Sequence, residues 1–348
     1  MGKRKRIFTN VGNTFWRSTF GGEDRQFDSS RLVQEAAKMT LEDLECRSPE
    51  VNSLSQFGLD GSEELLFFCT NTPDSLACGE ALVSLYRQGE YQVSLETLEH
   101  FHDSGSSDSF RKGVAEYVSK MISYLDKPDS RYGLDTFINV TSGFRSLVPY
   151  ATILGTVFHA SVFYLYERQS KVHVLPPLPI SFDDGVFQQN DLFFFRLSND
   201  MLPRKEVQDV IGYQKMMEMM PDYLVEEDGL VYFSELGRIL WGKFNAENPV
   251  LFLSDEAKKR LKKTPELKEL VVKALKGEGQ PEHSLHEYKG KLQCYKFDRK
   301  SVRFFYETRN GYLYIAKILD HDEYERYISQ AKPNEEFRWN RERIPMEG

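Results

Sequence analysis

Asn139, Thr141, Ser142 and Gly143 stand between an apolar run and a helix-like one, in Phe137-Ile-Asn-Val-Thr-Ser-Gly-Phe-Arg-Ser-Leu-Val-Pro-Tyr150. Short hydroxyl and amide side chains at a strand-to-helix turn suit hydrogen bonding to phosphate, ribose or base. The free N–H groups of a helix start favour an anion at the same place. Arg145 adds a cation able to neutralise a phosphate. Two other loops share this composition, Thr9–Thr14 and Asn71–Ser75. The candidate ligand-binding residues are therefore Thr9, Asn10, Gly12, Asn13, Thr14, Asn71, Thr72, Asn139, Thr141, Ser142, Gly143, Phe144 and Arg145. Phe15 and Trp16 follow the first loop and read as core or dimer packing, with stacking on a base as the alternative.

These loops need strands behind them and helices after them. Strands are predicted at Arg6–Val11, Glu64–Thr70, Gln92–Leu95, Thr136–Val140, Ser161–Tyr166 and Val172–Leu175. Helices are predicted at Leu76–Arg87, Phe110–Leu125 and Leu147–Val157. Strands alternating with helices at this pitch argue for an α/β domain with a largely parallel sheet. Pro176-Pro-Leu-Pro179 closes it near residue 185, since proline continues neither a helix nor a central strand. Beyond it come a helix over Pro203–Met220, a hairpin over Tyr223–Phe233 turning at Glu227-Asp-Gly229, and a helix over Ser234–Phe244 with Ser234 as N-cap. The methionines at 216, 217, 219 and 220 read as adaptable packing or a dimer contact. From about Leu251 the pattern is two basic amphipathic helices (Asp255–Lys263 and Glu266–Lys276), three strands (Leu292–Phe297, Val302–Glu307 and Tyr312–Ile318) and a last helix, His321–Gln330. An Arg309-Asn-Gly311 turn joins the last two strands. This tail is a compact α+β unit.

The order Asn-Val-Thr-Ser-Gly-Phe-Arg at 139–145, with the two other loops, resembles CARF domains, the CRISPR-associated Rossmann-like sensors of cyclic oligoadenylates. The likeness covers roughly residues 6–180. It implies a homodimer whose paired sensors hold one ring-shaped ligand, cyclic tetra-adenylate being the expected activator, across the two-fold axis. Many such domains carry lysine where Arg145 stands. The helix–hairpin–helix that follows resembles a reduced winged-helix module.

The tail resembles RelE-type messenger-RNA interferases from about Leu253 to Gln330, most specifically over Leu292-Gln-Cys-Tyr-Lys-Phe-Asp-Arg-Lys-Ser-Val-Arg-Phe-Phe-Tyr306 and His321-Asp-Glu-Tyr-Glu-Arg-Tyr327. The resemblance implies ribosome-dependent cleavage in which a 2′-hydroxyl attacks the adjacent phosphate, without a metal and with no cofactor beyond the activator. Such chemistry needs an acceptor for the 2′ proton, a donor to the 5′ oxygen and cations for the phosphorane. Lys296 and Arg303 match the family's lysine and arginine. Asp298 replaces the second lysine, and Arg299 or Lys300 takes its place. His321 serves as acid or base near neutrality. Tyr324 or Tyr327 matches the terminal tyrosine, with Tyr327 favoured on spacing.

The expected divisions are 1–185, an α/β Rossmann-like sensor; 186–250, a winged-helix-like middle module; and 251–348, an α+β RelE-like ribonuclease. Charge agrees with this split. Residues 251–348 carry 21 basic against 17 acidic residues, net +4, while the remainder is −12 within an overall −8. An acidic body with a basic tail places any polyanion, here mRNA on the ribosome, at the tail. Four scattered cysteines and no Cys-x-x-Cys pair predict a reduced, cytoplasmic chain without a metal site. No apolar run approaches the roughly 20 residues of a membrane span. A rival reading makes residues 190–250 a DNA-binding transcription regulator. Its helix 234–244 offers only Arg238 and Lys243 beside Glu235, which makes DNA a poor partner. A third reading keeps the sensor but leaves the tail a degenerate fold that only binds RNA or the ribosome.

Overall fold

Leu65-Leu-Phe-Phe-Cys69 is apolar at every position, so a strand made from it must be covered on both faces. The computed structural model, which describes residues 4–22, 26–101, 107–126, 134–166, 171–268, 270–271, 292–296, 302–310, 312–330 and 335–345, supplies that cover. Strands β1 (Arg4–Asn10), β2 (Glu64–Thr70), β3 (Gln92–Leu98), β4 (Leu134–Asn139), β5 (Ser161–Leu165) and β6 (Val172–Leu175) form one sheet in the order β3-β2-β1-β4-β5-β6. Every neighbouring pair is parallel except β5 with β6. This is a Rossmann-like order, and the topological switch falls between β1 and β4. Ile7 and Phe8, adjacent on β1, are both fully buried. Arg6 is buried beside them and pairs with its register partner Glu64 at 2.7 Å.

Helices α1 (Thr14–Phe20), α2 (Ser29–Ala36), α3 (Leu41–Arg47), α4 (Pro49–Phe57), α5 (Pro73–Gln88), α6 (Ser107–Leu125) and α7 (Val148–Val157) connect the strands. The sequence reading had no elements for residues 17–57. The helices there are short and of mixed polarity, and their signals are caps rather than periodicity. Thr40 and Asp43 form a capping box, and Ser48 Oγ accepts from Val51 N at 3.2 Å. α5 starts at Pro73 instead of Leu76, because proline is well tolerated in a first turn. Phe15 and Trp16 are fully buried, and Trp16 packs on Phe20 and Phe27 with ring centroids 4.5 and 5.2 Å away. They are core residues, and stacking on a base is removed.

Residues 185–243 belong to the same compact unit, Met1–Lys243. Helices α8 (Gly185–Gln189), α9 (Asp191–Asn199), α10 (Arg204–Ile211) and α11 (Tyr213–Met219) precede a hairpin of β8 (Leu224–Glu227) and β9 (Leu230–Phe233), to which β7 (Leu202–Pro203) adds a short edge. The helix expected over 203–220 is broken at Gly212, which takes a φ of +84°. The hairpin turns on Asp228 and Gly229, both at positive φ. Ser234 caps α12 (Glu235–Glu247), its Oγ accepting from Gly237 N at 2.9 Å. Met216 and Met219 are packed inside, whereas Met217 is exposed.

The second unit, Phe244–Gly348, holds a five-stranded sheet. Its strands are β10 (Val250–Ser254), β11 (Gln293–Lys296), β12 (Arg303–Arg309), β13 (Tyr312–Leu319) and β14 (Trp339–Arg343), in the order β11-β12-β13-β10-β14. β10 runs parallel to β13 and β14 antiparallel to β10, so the sheet is mixed rather than three antiparallel strands. Both added strands escaped the sequence reading. Val250–Ser254 runs into the next helix with no turn residue, Ser254 ending the strand while its Oγ accepts from Ala257 N at 3.0 Å. Trp339–Arg343 is almost wholly polar. Helix α13 (Asp255–Lys263), with Leu267, Leu270 and Val271, packs on one core with Leu251, Phe304 and Ile315. Helix α14 (His321–Gln330) packs through Tyr324 on another with Phe305 and Ala316. Among the described residues no helix is long and apolar enough to cross a membrane.

Truncating Trp16 to alanine removes the largest fully buried side chain of the first unit. The loss expected is about 3–5 kcal/mol of unfolding free energy, read by chemical denaturation.

Candidate ligand crevice and candidate phosphate site

Parallel pairing of β2, β1 and β4 brings the three polar loops to one end of the sheet. Val11 N donates to Phe68 O at 2.8 Å and Asn71 N to Leu98 O at 3.1 Å, so each loop starts from a strand end held by its neighbour. At the switch point the loops after β1 and β4 touch backbone to backbone. Gly143 has a φ of +87°, and a Cβ there would lie 2.7 Å from Asn10 Cβ. A Cβ on Gly12 would lie 3.3 Å from Gly143 N. Gly143 is required by this approach, and Gly12 leaves little room for a side chain.

Most predicted ligand residues turn out to be bonded to the protein itself. Thr9 and Asn10 are buried, and Asn10 lies beside the Tyr117 hydroxyl, which burial pushes well above the usual phenol range. Gly12 N donates to Glu50 Oε1 at 3.0 Å. Asn13 Nδ2 donates to Asp74 Oδ2 at 2.6 Å, and Thr72 Oγ1 donates to Asp74 Oδ1 at 2.7 Å. Asn71 Nδ2 donates to Glu99 at 2.8 Å, although Asn71 is exposed. Asn139 is fully buried. Its amide donates to Ser53 Oγ at 2.8 Å and accepts from Thr141 N at 3.1 Å and Thr141 Oγ1 at 2.7 Å. Thr141 Oγ1 in turn accepts from Leu165 N at 3.0 Å. Ser142 Oγ donates to Glu50 Oε1 at 2.6 Å. Thr14, Asn71, Phe144 and Arg145 are the predicted residues that face solvent. Arg145 opens a 3-10 turn leading into α7, and the Phe144 ring lies 5.2 Å from that of Phe101.

Sequence reasoning missed Glu50 and Asp74, which tie this crevice together. Glu50 sits in Ser48-Pro-Glu50, a string whose sequence meaning is only a helix start. Asp74 lay inside a loop already noted, but nothing local shows that Asn13 reaches it. Burial would raise the Asp74 carboxyl, yet hydrogen bonds from Asn13, Thr72 and the Ser75 amide outweigh it and hold it below its ordinary value.

In the second unit Arg303 begins β12, with Lys296 as its register partner on β11. Arg303 is only 8% exposed, and its guanidinium lies 5.1 Å from the centre of the Tyr324 ring. Its Nε and Nη1 are buried with no hydrogen-bond partner among the described residues. Tyr327 belongs to a different network. Its hydroxyl donates to Glu335 at 2.9 Å, and Lys317 Nζ stands 4.7 Å from its ring centre while pairing with Glu335 at 2.8 Å and Glu256 at 3.0 Å. Burial and Glu335 push the Tyr327 hydroxyl far above the usual phenol range. His321 is exposed at the start of α14, next to Asp320, which caps that helix reciprocally with Glu323. The structure thus joins Arg303 with Tyr324 and leaves Tyr327 with Lys317. Arg299, like Asp298 and Lys300, lies outside the described residues.

Two outcomes follow for the crevice. Gly143→Ala forces a side chain into Asn10 at positive φ and is expected to cost about 1–3 kcal/mol, measured by urea unfolding. Asp74 has a depressed carboxyl, so its contribution is present above the ordinary 3.8 and is lost as pH falls through its lower folded value. The gap in thermal midpoint between wild type and Asp74→Asn should hold steady from about pH 7 to 5 and narrow as pH falls below 3.8.

Residues 46–178 match the model of the family described as CRISPR-associated protein (Cas_APE2256). That stretch holds β2 to β6, the loops after β2 and β4, and Glu50. No curated protein matches the chain. Strands β2 to β6 of the crevice sheet thus lie in a stretch that is similar to a family of CRISPR-associated proteins, while β1 and its loop precede that stretch.

Proposed function

We propose that this chain is an ancillary effector of type III CRISPR immunity, in which a cyclic oligoadenylate bound at the crevice switches on a ribonuclease in the second unit. The observation that carries the sensor half is a switch-point crevice between β1 and β4 in a sheet whose other five strands, β2 to β6, lie within the CRISPR-associated family match. Thr14, Asn71, Phe144 and Arg145 are the groups offered to the ring, Arg145 to a phosphate and Phe144 to a base. The active species is a homodimer with cyclic tetra-adenylate shared between two crevices. Activation requires the ligand to bind the active arrangement more tightly than the resting one.

In the effector half, a mobile base takes the 2′ proton of a ribose in ribosome-bound mRNA as that oxygen attacks the adjacent phosphorus. The bond to the 5′ oxygen breaks, that oxygen is protonated, and a cyclic phosphate and a 5′-hydroxyl remain. Arg303, a buried cation backed by Tyr324, meets the charge of the phosphorane. His321, exposed and next to the α14 cap, is the proton carrier. Lys296 and Arg299 supply further positive charge, and Tyr324 holds the guanidinium. Tyr327, bound to Glu335, supports the fold of the site. The surface of α12 argues against the DNA-binding alternative. Between Glu235 and Lys243 only Leu236 is exposed, and Ile239, Leu240 and Trp241 are buried. A recognition helix must present several polar side chains to a groove.

In vitro translation with purified protein, with and without cyclic tetra-adenylate, tests the reading through mRNA 5′ ends mapped by primer extension. Ligand-dependent cuts at ribosome-occupied codons are expected. Arg303→Ala and His321→Ala should each lower the cleavage rate by about 10²–10³-fold. Ligand binding without cuts would reduce the second unit to an RNA- or ribosome-binding module. Wild-type cleavage by the Arg303→Ala, His321→Ala double variant would overturn the catalytic assignment.

A further inference from the structure

Glu50 has no exposed surface, and no ion pair to it occurs among the described residues. Its carboxylate is held by three donors. Gly12 N and Ser142 Oγ meet at Oε1, at 3.0 and 2.6 Å, and Ser48 Oγ reaches Oε2 at 2.8 Å. A buried carboxylate is tolerated only when hydrogen bonds replace its water, and the first turn of α4 adds favourable N–H dipoles. Two of the three donors come from the loops after β1 and β4, the pair that frames the switch point. Ser53, one turn further along α4, accepts from Asn139. The start of α4 is thus bonded to both loops.

This arrangement has a chemical consequence. A serine hydroxyl carries one proton, and that of Ser142 is committed to Glu50. What Ser142 offers the crevice is a pair of acceptor lone pairs, which repel a phosphate oxygen and suit an O–H or N–H donor. Gly12 N, another natural anion donor, is also occupied by Glu50. In a ring of 3′,5′-linked adenylates the available donors are the ribose 2′-hydroxyl and the adenine amine.

We propose that Glu50 is a positioning residue for the crevice, fixing Gly12 and Ser142 on one oxygen and turning Ser142 into an acceptor for a donor group of the ligand. The proposal rests on the sensor reading, and its test separates the two. Binding of cyclic tetra-adenylate and cyclic hexa-adenylate is measured for full-length wild type, Glu50→Gln, Glu50→Met, Ser142→Ala and Glu50→Met/Ser142→Ala, with thermal midpoints in parallel. Ser142→Ala and Glu50→Met are each expected to weaken binding by about tenfold, as for one lost hydrogen bond. Glu50→Gln keeps an acceptor oxygen and should stay within about threefold of wild type. The double variant should be no weaker than Glu50→Met, because the two residues act as one unit. A purely structural Glu50 would lower the midpoint yet give additive losses in binding.

Rings of 2′-deoxyadenylate and of purine lacking the amine identify the donor. One of them should bind wild type about tenfold more weakly than the parent ring, yet lose nothing further in Ser142→Ala. The proposal is overturned if folded Glu50→Met binds as wild type, if Glu50→Gln is as weak as Glu50→Met, or if neither modified ring depends on Ser142. Should Glu50→Met fail to fold, wild-type binding by Ser142→Ala overturns it equally. If wild type binds neither ring, the sensor reading itself falls and takes this proposal with it.

Discussion

The crevice depends on β1 being a parallel strand with a parallel neighbour on each side. Helices must then cover both faces of the sheet, which is why Ile7 and Phe8 are both fully buried although they point opposite ways. The chain leaves β1 for β2 on one side and returns from β3 to β4 on the other, so the strand order reverses beside β1 and its carboxyl end borders the switch-point crevice. The six-residue register between β1 and β4 then brings Asn10 against Gly143. Any side chain on Gly143 would push these strand ends apart.

A loop crowded with buried amides and hydroxyls needs partners for all of them, since each unmatched group costs about 1–3 kcal/mol. The molecule meets much of that demand with three acids, Glu50 and Glu99 from outside the loops and Asp74 from within one, although Thr9 Oγ1 and the Asn10 amide stay buried without a hydrogen-bond partner among the described residues. Each acid takes bonds from donors that a local reading would assign to a ligand. The crevice is therefore organised before any ligand arrives, and little side-chain ordering is left for binding to accomplish. On the proposed sensor reading, ligand contacts then come from fewer residues than the loop composition suggests. Arg145 and Phe144 lie at the exposed rim, whereas the bonds of Asn139 and Thr141 hold the turn in shape.

Elements with a clear apolar run or an amphipathic pattern, and with sharp ends, were legible in the sequence. Glu64–Thr70, Val172–Leu175, Asp255–Lys263 and His321–Gln330 have the predicted limits, because turn residues or charge reversals flank them. Elements fixed by tertiary contacts were not. Val250–Ser254 becomes a strand by pairing with β13 and β14, and Trp339–Arg343 by pairing with β10. The loops themselves were readable as polar strand ends, and their convergence followed from the parallel sheet. Which of their side chains remain available was hidden, since it depends on Glu50 and Asp74, residues far from their partners in sequence. The choice between Tyr324 and Tyr327 was closed to sequence for the same reason. Both lie on one helix, and only the neighbours of each, Arg303 or Glu335, distinguish them.

Those neighbours also separate two buried cations in the second unit. Lys317 and Arg303 are each 8% exposed and both border the cluster of Phe305, Ala316 and Tyr324. Burial alone would depress the Lys317 ammonium, but its bonds to Glu335 and Glu256 outweigh that and raise it. Its charge is therefore answered within the fold, and such compensation is what a structural ion network provides. Arg303 has an aromatic face beneath it and no acceptor for Nε or Nη1 among the described residues. A tyrosine ring orients a guanidinium and attracts its charge, but it supplies no hydrogen-bond acceptor to the N–H groups. A phosphate meeting those N–H groups gains charge-assisted hydrogen bonds without first breaking a salt bridge. At Lys317 the same phosphate would have to displace two carboxylates. On the proposed ribonuclease reading, the contrast favours Arg303 over Lys317 as the cation that meets a phosphate, with Lys317 and Tyr327 bound to carboxylates of the fold.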